Sequence, residues 1–188
     1  MLDHFGFIAP FYDRFAGPPD VERLCTLLRL PTAGALLDIG GGTGRVSEPL
    51  RDLVGTLVVG DESPAMVRQA RAKALCCPVA ARAEWLPFPN GCFDRVLVVD
   101  ALHHFADQPW AIADLVRVLR PGGRLLVEEP NLHRFPVKLI ALLEKLMLMR
   151  SHFYYPHEIG RMIAAHGLQP HIHTDDGVTA SIAADKPA

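Results

Sequence analysis

Leu36-Leu37-Asp38-Ile39-Gly40-Gly41-Gly42-Thr43-Gly44-Arg45-Val46 is an apolar strand pattern that runs into four glycines and then into a predicted helix. A loop so dense in glycine allows turns with φ > 0 and lets a ligand lie against main-chain N–H groups, because no Cβ intervenes. The stretch reads as a nucleotide or nucleoside cradle at the carboxyl end of a strand. A dinucleotide fingerprint requires G-x-G-x-x-G, and the place of its third glycine, counted from Gly40, is held by Arg45. What stands here instead is an acid, one residue and then G-x-G-x-G.

The rest of the chain supplies the context. With 188 residues, 49% hydrophobic and 21% charged, it fits one domain, 1–188, with a sizeable core. A formal charge of -2 gives no broad attraction to phosphates, so no nucleic acid partner is expected. Cys25, Cys76, Cys77 and Cys92 show no C-x-x-C spacing, and no metal site or disulfide framework is predicted. Reduced thiols, no basic-then-apolar leader at Met1-Leu2-Asp3-His4-Phe5-Gly6 and no spanning apolar run lead us to expect a cytoplasmic protein.

Before the glycine loop, Asp20 is a good N-cap for a helix whose apolar face is Val21, Leu24, Leu27 and Leu28. After it, residues 56–60 form a second strand ending at Asp61, and Ser63-Pro64 opens a helix to about Ala74. An acid at the end of a second parallel strand sits beside a ligand crevice, where its carboxylate can accept both ribose hydroxyls. A third strand is expected over 78–83 and a fourth, nearly all apolar, over 95–100. A helix over 109–119 then stops at Arg120-Pro121-Gly122-Gly123, a tight turn before a fifth strand over 124–130. Glu128 and Glu129 end that strand, either as a substrate contact or as a solvated pair of acids.

Residues 136–150 carry only Lys138, Glu144, Lys145 and Arg150 among apolar residues, so such a helix must bury most of its circumference. It either roofs a pocket with Phe153, Tyr154 and Tyr155, meets a second copy in a homodimer, or rests on a membrane surface. A helix over 157–166 ends at Gly167, and strands over 168–174 and 178–183 flank the turn signal Asp175-Asp176-Gly177. His171 and His173 share one face of the first of these strands, which reads as a solvated edge. A terminal hairpin brings the last strand antiparallel into an otherwise parallel sheet.

Several segments resemble the class I S-adenosylmethionine-dependent methyltransferases, in particular the ubiquinone- and menaquinone-type enzymes and their small-molecule relatives. Asp38 to Gly44 is similar to their motif I. Gly60-Asp61-Glu62-Ser63-Pro64-Ala65-Met66 resembles G-x-D-x-S-x-x-M with one residue fewer before the acid. Glu84-Trp85-Leu86-Pro87-Phe88-Pro89-Asn90-Gly91-Cys92-Phe93-Asp94 looks like the family's LPF segment, Asp100-Ala101-Leu102-His103-His104-Phe105 like motif IV, and Leu119 to Leu125 like its LrPGGrl turn. The aromatic lead-in over 4–16 is similar to the family's opening lid, with Tyr12 nearest the cofactor.

The resemblance implies an α/β, Rossmann-like three-layer sandwich with a seven-stranded, mostly parallel sheet in the order 3-2-1-4-5-7-6. Residues 1–34 would be a lid and leading helix, and 131–156 a cap on the acceptor side. S-adenosyl-L-methionine would be the cofactor and S-adenosyl-L-homocysteine its product. Asp38, Gly40, Gly41, Gly42 and Gly44 would embrace the methionine end, and Asp61, with Glu62 beside it, the ribose. Met66 would pack on adenine or simply fill the core. Arg82 stands where the family has an adenine-binding acid, so the backbone at Ala83 keeps its contact while Glu84 or a carbonyl replaces the lost acceptor. Trp85 either covers the adenine face or is an ordinary aromatic. The carbonyl of Asp100 would face the cofactor's ammonium. His103 and His104 are the candidate catalytic bases, with shaping of the pocket as the alternative. The expected acceptor is a small apolar molecule such as a quinone precursor or lipid. An NAD(P)-dependent oxidoreductase on a related fold and a non-catalytic nucleoside-binding protein stand as alternatives.

Overall fold

Leu36, Leu37 and Ile39 are all buried to within 1% of full cover, which requires packing on both faces of their strand and so a central place in a sheet. The computed structural model describes residues 18–73, 77–134, 137–138, 151–174 and 177–188. Its strands are β1 (Thr32–Ile39), β2 (Val54–Asp61), β3 (Cys77–Ala80), β4 (Phe93–Val99), β5 (Leu119–Pro130), β6 (Gln169–Thr174) and β7 (Thr179–Asp185). They form one seven-stranded sheet in the order β3-β2-β1-β4-β5-β7-β6. Pairing is parallel from β3 to β5, and β7 enters antiparallel to both β5 and β6. The expected order and the reversed last strand are thus both present.

Period-two alternation sorts the core into two layers. Leu36, Leu57, Val59, Leu97, Leu126 and Ala183 face α1 (Val21–Leu28), Leu50 and Ala70 of α2 (Pro64–Ala72). Leu37, Val58, Val96, Val98, Leu125, Val127 and Ile182 face α3 (Gln108–Val118) and α4 (Pro156–Ala164). Asp20 caps α1 as expected, its carboxylate accepting from Arg23 N at 3.0 Å. Pro64 and Pro156 open α2 and α4, where a missing N–H costs nothing.

Three local expectations are corrected. No α-helix follows the glycine loop: the chain turns and then forms a 3₁₀ helix, Glu48–Leu53. The crossover from β1 to β2 has only residues 40–53. The six residues of the 3₁₀ helix advance about 12 Å, against about 9 Å as an α-helix, so the tighter winding covers more of the return along an eight-residue strand. The third strand ends at Ala80, and beyond it Arg82 and Trp85 close a turn through a single antiparallel bridge. The turn expected at 120–123 is instead the start of β5, which takes over at Leu119. Gly122 there has φ +72° and bonds to Lys186 of the terminal segment, whose ammonium accepts no bond but donates to the Val116 and Leu119 carbonyls that end α3.

Tyr12, the rest of the aromatic lead-in, most of 136–150 and the Asp175-Asp176 turn lie outside the described residues. Among the described residues no helix is long and apolar enough to cross a membrane.

Candidate active site

β1, β2, β4 and β5 end on the same side of the sheet, and the candidate residues gather there. The glycine loop leaves β1 by bonding back to its neighbour: Gly40 N and Gly41 N both donate to Gly60 O, at 2.8 and 3.2 Å. Gly40, Gly42 and Gly44 all have positive φ, at +70°, +57° and +76°. A Cβ on Gly40 would lie 2.4 Å from that of Ala101, and one on Gly41 2.5 Å from Asp38 Oδ2. Above Gly42 the nearest atom to such a Cβ is Met66 Sδ, at 3.8 Å. Glycine is therefore required below the loop by close packing and above it by backbone conformation.

Asp61, at the tip of β2, turns toward this loop. Its Oδ2 accepts from Gly42 N at 2.9 Å and its Oδ1 from Ser63 N at 2.8 Å. The carboxylate joins the bend to the start of α2 while retaining lone pairs for further donors. Beneath it, Asp38 is 1% exposed, and its Oδ2 has no hydrogen-bond partner among the described residues. Burial raises the Asp38 carboxyl to about 7, with Asp61 adding to the rise and Ser47 and Arg45 opposing it. A buried carboxyl with an unmatched oxygen under a glycine bend is the donor-seeking group that an ammonium-bearing ligand would satisfy.

On the β3 side, Met66 is 3% exposed and its Sδ faces Gly42, so it meets the core and borders the cradle together. Arg82 does not stand alone in place of an acid: its Nε lies 3.8 Å from Glu62 Oε2 and 3.5 Å from Glu84 Oε2, and its guanidinium covers the Trp85 ring at 5.0 Å. Trp85 is 64% exposed, which removes a core role for it. Ala83 is buried in the same turn. Glu84 is buried too, but its Oε1 accepts from Ala106 N and Asp107 N, at 2.8 and 3.2 Å, tying this turn to the start of α3. The geometry gives Glu84 a clamping role in this structure, and Glu62 is the more open acid on this side.

At the end of β4, Asp100 adopts φ +50°, a left-handed conformation that aspartate tolerates better than most residues. Its N–H donates to Glu128 O at 2.9 Å. A 3₁₀ turn, Leu102–His104, follows directly. Contrary to the solvated pair considered from sequence, both glutamates of β5 are buried, Glu128 at 8% and Glu129 at 4%. Glu128 accepts from the Ser181 hydroxyl and lies 3.5 Å from Arg23 Nε. Glu129 Oε1 accepts from Ala101 N and Leu102 N, at 3.0 and 2.8 Å, and its Oε2 meets His103 Nδ1 at 2.6 Å. These partnerships were missed because strand and helix patterns do not report which acid a neighbouring strand will meet.

His103 and His104 are held differently. His103 is buried, with its ring 4.3 Å from that of Phe153 at an angle of 16°. Its carbonyl accepts from His152 N at 2.8 Å, which ties the segment before α4 to this turn. The ring of His104 lies 4.0 Å from that of His103, tilted by 49°, and its Nδ1 meets Ser151 Oγ at 3.2 Å. Burial, then the neighbouring His103, lowers its pKa to about 3, so it is neutral throughout the physiological range. Between Arg45, Val99, Asp100, Glu128 and Arg23 opens a cleft of about 190 Å³. Its described wall sets these charged residues beside Pro18, Pro19, Leu24, Val46 and Val99. Among the described residues no cluster of acids, histidines and cysteines suits a metal ion.

Two of these groups give opposite pH dependence. His104 titrates at about 3 in the folded chain against an ordinary 6.5, so below pH 6.5 the unfolded chain binds more protons and stability falls with falling pH. Asp38 titrates at about 7 against 3.8, so the folded chain binds more protons in that window and stability falls with rising pH. Asp38→Asn removes the opposing slope of Asp38 and leaves that of His104. Its unfolding free energy in urea should drop by up to about 1.4 kcal/mol per pH unit below 6.5, and more steeply than in the parent chain. Equal slopes in the two proteins would contradict this assignment.

The strand order, the reversed β7 and a glycine bend pinned by the acid of the second strand define a class I methyltransferase fold. Residues 37–127 match the family model described as "Methyltransferase domain". It is 35% identical over 139 residues to the ubiquinone/menaquinone biosynthesis C-methyltransferase UbiE of Saccharophagus degradans, a match covering 69% of this chain and 53% of that protein. It is 42% identical over 139 residues to the demethylmenaquinone methyltransferase of Thermus thermophilus, covering 66% of this chain and 63% of that one. The chain thus spans roughly half to two thirds of the length of these relatives. A SAM-dependent methyltransferase from Aquifex aeolicus shares the fold, with a TM-score of 0.75, 18% identity, and coverage of 94% of this chain and 97% of that one.

Proposed function

We propose that this chain binds S-adenosylmethionine and transfers its methyl group to a ring carbon of a quinone precursor. The observation that carries the cofactor half is the bond from Gly42 N to Asp61 Oδ2, which sets a carboxylate beside a bend whose upper side only glycine can form. Asp61 would take the ribose hydroxyls, Gly40 to Gly44 the methionine end, and the unmatched oxygen of Asp38 the positive charge carried by that end. When bound, the cofactor supplies a methyl group already activated by its sulfonium. The protein's contribution is then alignment and exclusion of water.

The acceptor half is supported by the names of the two relatives. The rival nicotinamide reading is separated by ligand-dependent melting. A saturating S-adenosylhomocysteine concentration of about 100 Kd should stabilise the protein by about 2.7 kcal/mol, and NAD should leave its melting temperature unchanged. The opposite pattern would replace this reading, and no response to either would favour a protein that has kept the fold without the cofactor.

A further inference from the structure

A nucleoside held by Asp61 and the glycine bend lies along the sheet in a definite direction. In S-adenosylhomocysteine the amino-acid end and the base leave opposite sides of the ribose. With the amino-acid end at the bend that follows β1 and the ribose at Asp61 of β2, the base falls on the β3 side, because the order there is β3-β2-β1 and neighbouring strands are about 4.8 Å apart. The chain that meets it there is the turn after β3, which is tied to the tip of β2 by Ala81 N donating to Asp61 O at 3.0 Å.

Three charged side chains converge on this turn, Glu62, Arg82 and Glu84. Glu84 is buried and already engaged, its Oε1 accepting from Ala106 N and Asp107 N. Its Oε2 lies 3.5 Å from Arg82 Nε, and Glu62 Oε2 approaches the same nitrogen at 3.8 Å. The Trp85 ring backs the guanidinium, with its centroid 5.0 Å from Arg82 Cζ. An anchored carboxylate, an aromatic face and a second acid thus steady a side chain whose donors already form a planar fork. Both carboxylates come closest at Nε and the side chain is 48% exposed, so the terminal nitrogens are open to a ligand.

From this placement, and resting on the cofactor reading above, we propose that Arg82 determines which purine the site prefers, and that it favours a 6-oxopurine over adenine. A guanidinium donates hydrogen bonds and accepts none. On the edge that carries position 6 and N7, adenine offers one acceptor, N7, beside an amino group that is itself a donor. Hypoxanthine offers two acceptors, O6 and N7, at the spacing that a guanidinium fork bonds as a pair. Arg82 therefore makes one bond to the first base while facing its amino hydrogens, and two bonds to the second. The ligand class is the homocysteine conjugate of a 6-oxopurine nucleoside, with ribose and amino-acid end unchanged.

Glu62 works against this preference. Its side chain is 70% exposed, and a carboxylate accepts from the adenine amino group as readily as Arg82 donates to O6. The two side chains therefore predict opposite orders of affinity.

Calorimetry with S-adenosylhomocysteine and S-inosylhomocysteine tests this, since the two compounds differ only in the substituent at position 6 and the proton on N1. The parent chain should bind the inosyl compound roughly 10-fold more tightly, near the lower end of the range for one paired contact. Arg82→Ala, at a half-exposed side chain, should bring the two dissociation constants to within about two-fold of each other. Arg82→Asp, which turns a donor into an acceptor, should favour S-adenosylhomocysteine by roughly 10-fold. Equal or weaker binding of the inosyl compound by the parent would overturn the proposal, and so would a preference that survives Arg82→Ala. In either case a retained affinity for S-adenosylhomocysteine leaves the cofactor reading standing, and its loss in Glu62→Gln would make Glu62 the residue that reads the base. If the parent binds neither compound, the cofactor reading has failed and the preference assigned to Arg82 falls with it.

Discussion

Asp61→Ala is expected to weaken S-adenosylhomocysteine binding by about 100-fold in calorimetry, and to lower the stability of the free protein. The two effects have separate sources because Asp61 has two kinds of partner. Toward a bound nucleoside it would offer a charged acceptor to two hydroxyls, and together such bonds are worth about 3 kcal/mol, or two orders of magnitude in affinity. Toward its own chain it accepts from two buried backbone donors, Gly42 N and Ser63 N. Its removal also relieves the repulsion that pushes the Asp38 carboxyl upward, which offsets part of the loss. Retention of parental affinity would show that this acid does not face the ligand.

Gly40→Ala should have a different signature, a large loss of folding stability that does not depend on ligand. A side chain at φ +70° costs about 1–2 kcal/mol. The new methyl carbon would also be 2.4 Å from Ala101 Cβ, at the end of the neighbouring strand, and relieving such an overlap costs a further 1–3 kcal/mol. The sum, about 3 kcal/mol, corresponds to a fall of roughly 10 °C in melting temperature for a domain of this size. A variant that melts with the parent would mean that the bend is not packed against β4 as described. The pair of substitutions thus distinguishes a residue that serves the ligand from one that serves the loop.

The part of this architecture that could be read from the sequence is the part written in local patterns. Runs such as Leu36-Leu37 and Val96-Leu97-Val98 announce buried parallel strands, Asp20 and Pro64 announce helix starts, and the glycines with Asp38 and Asp61 announce a nucleoside cradle. The reversed β7 follows from the hairpin spacing near the end of the chain. What could not be read depends on chain length or on distant partners. The 3₁₀ crossover after the glycine loop is set by how far residues 40–53 must reach, not by the helix propensity of Val46 to Leu53. β5 begins early because its first residues are held by Lys186, far along the chain.

The same distinction runs through the site. The carboxylates of Glu84 and Glu129 looked like candidates for ligand or solvent, and the fold turns both inward, one onto the start of α3 and the other onto His103. Arg82, which by its type alone argues against an adenine pocket, is matched by Glu62 and Glu84, so the local charge is not that of an isolated cation. His103 and His104 are alike in sequence and become different only when β5 supplies a carboxylate to one of them.

The most direct test is a structure of the chain crystallised with S-adenosylhomocysteine. Both ribose hydroxyls should lie within hydrogen-bond distance of Asp61, and the amino-acid end of the ligand should lie against Gly40 to Gly44 above Asp38. A ligand bound elsewhere, or Asp61 directed away from the ribose, would contradict the account.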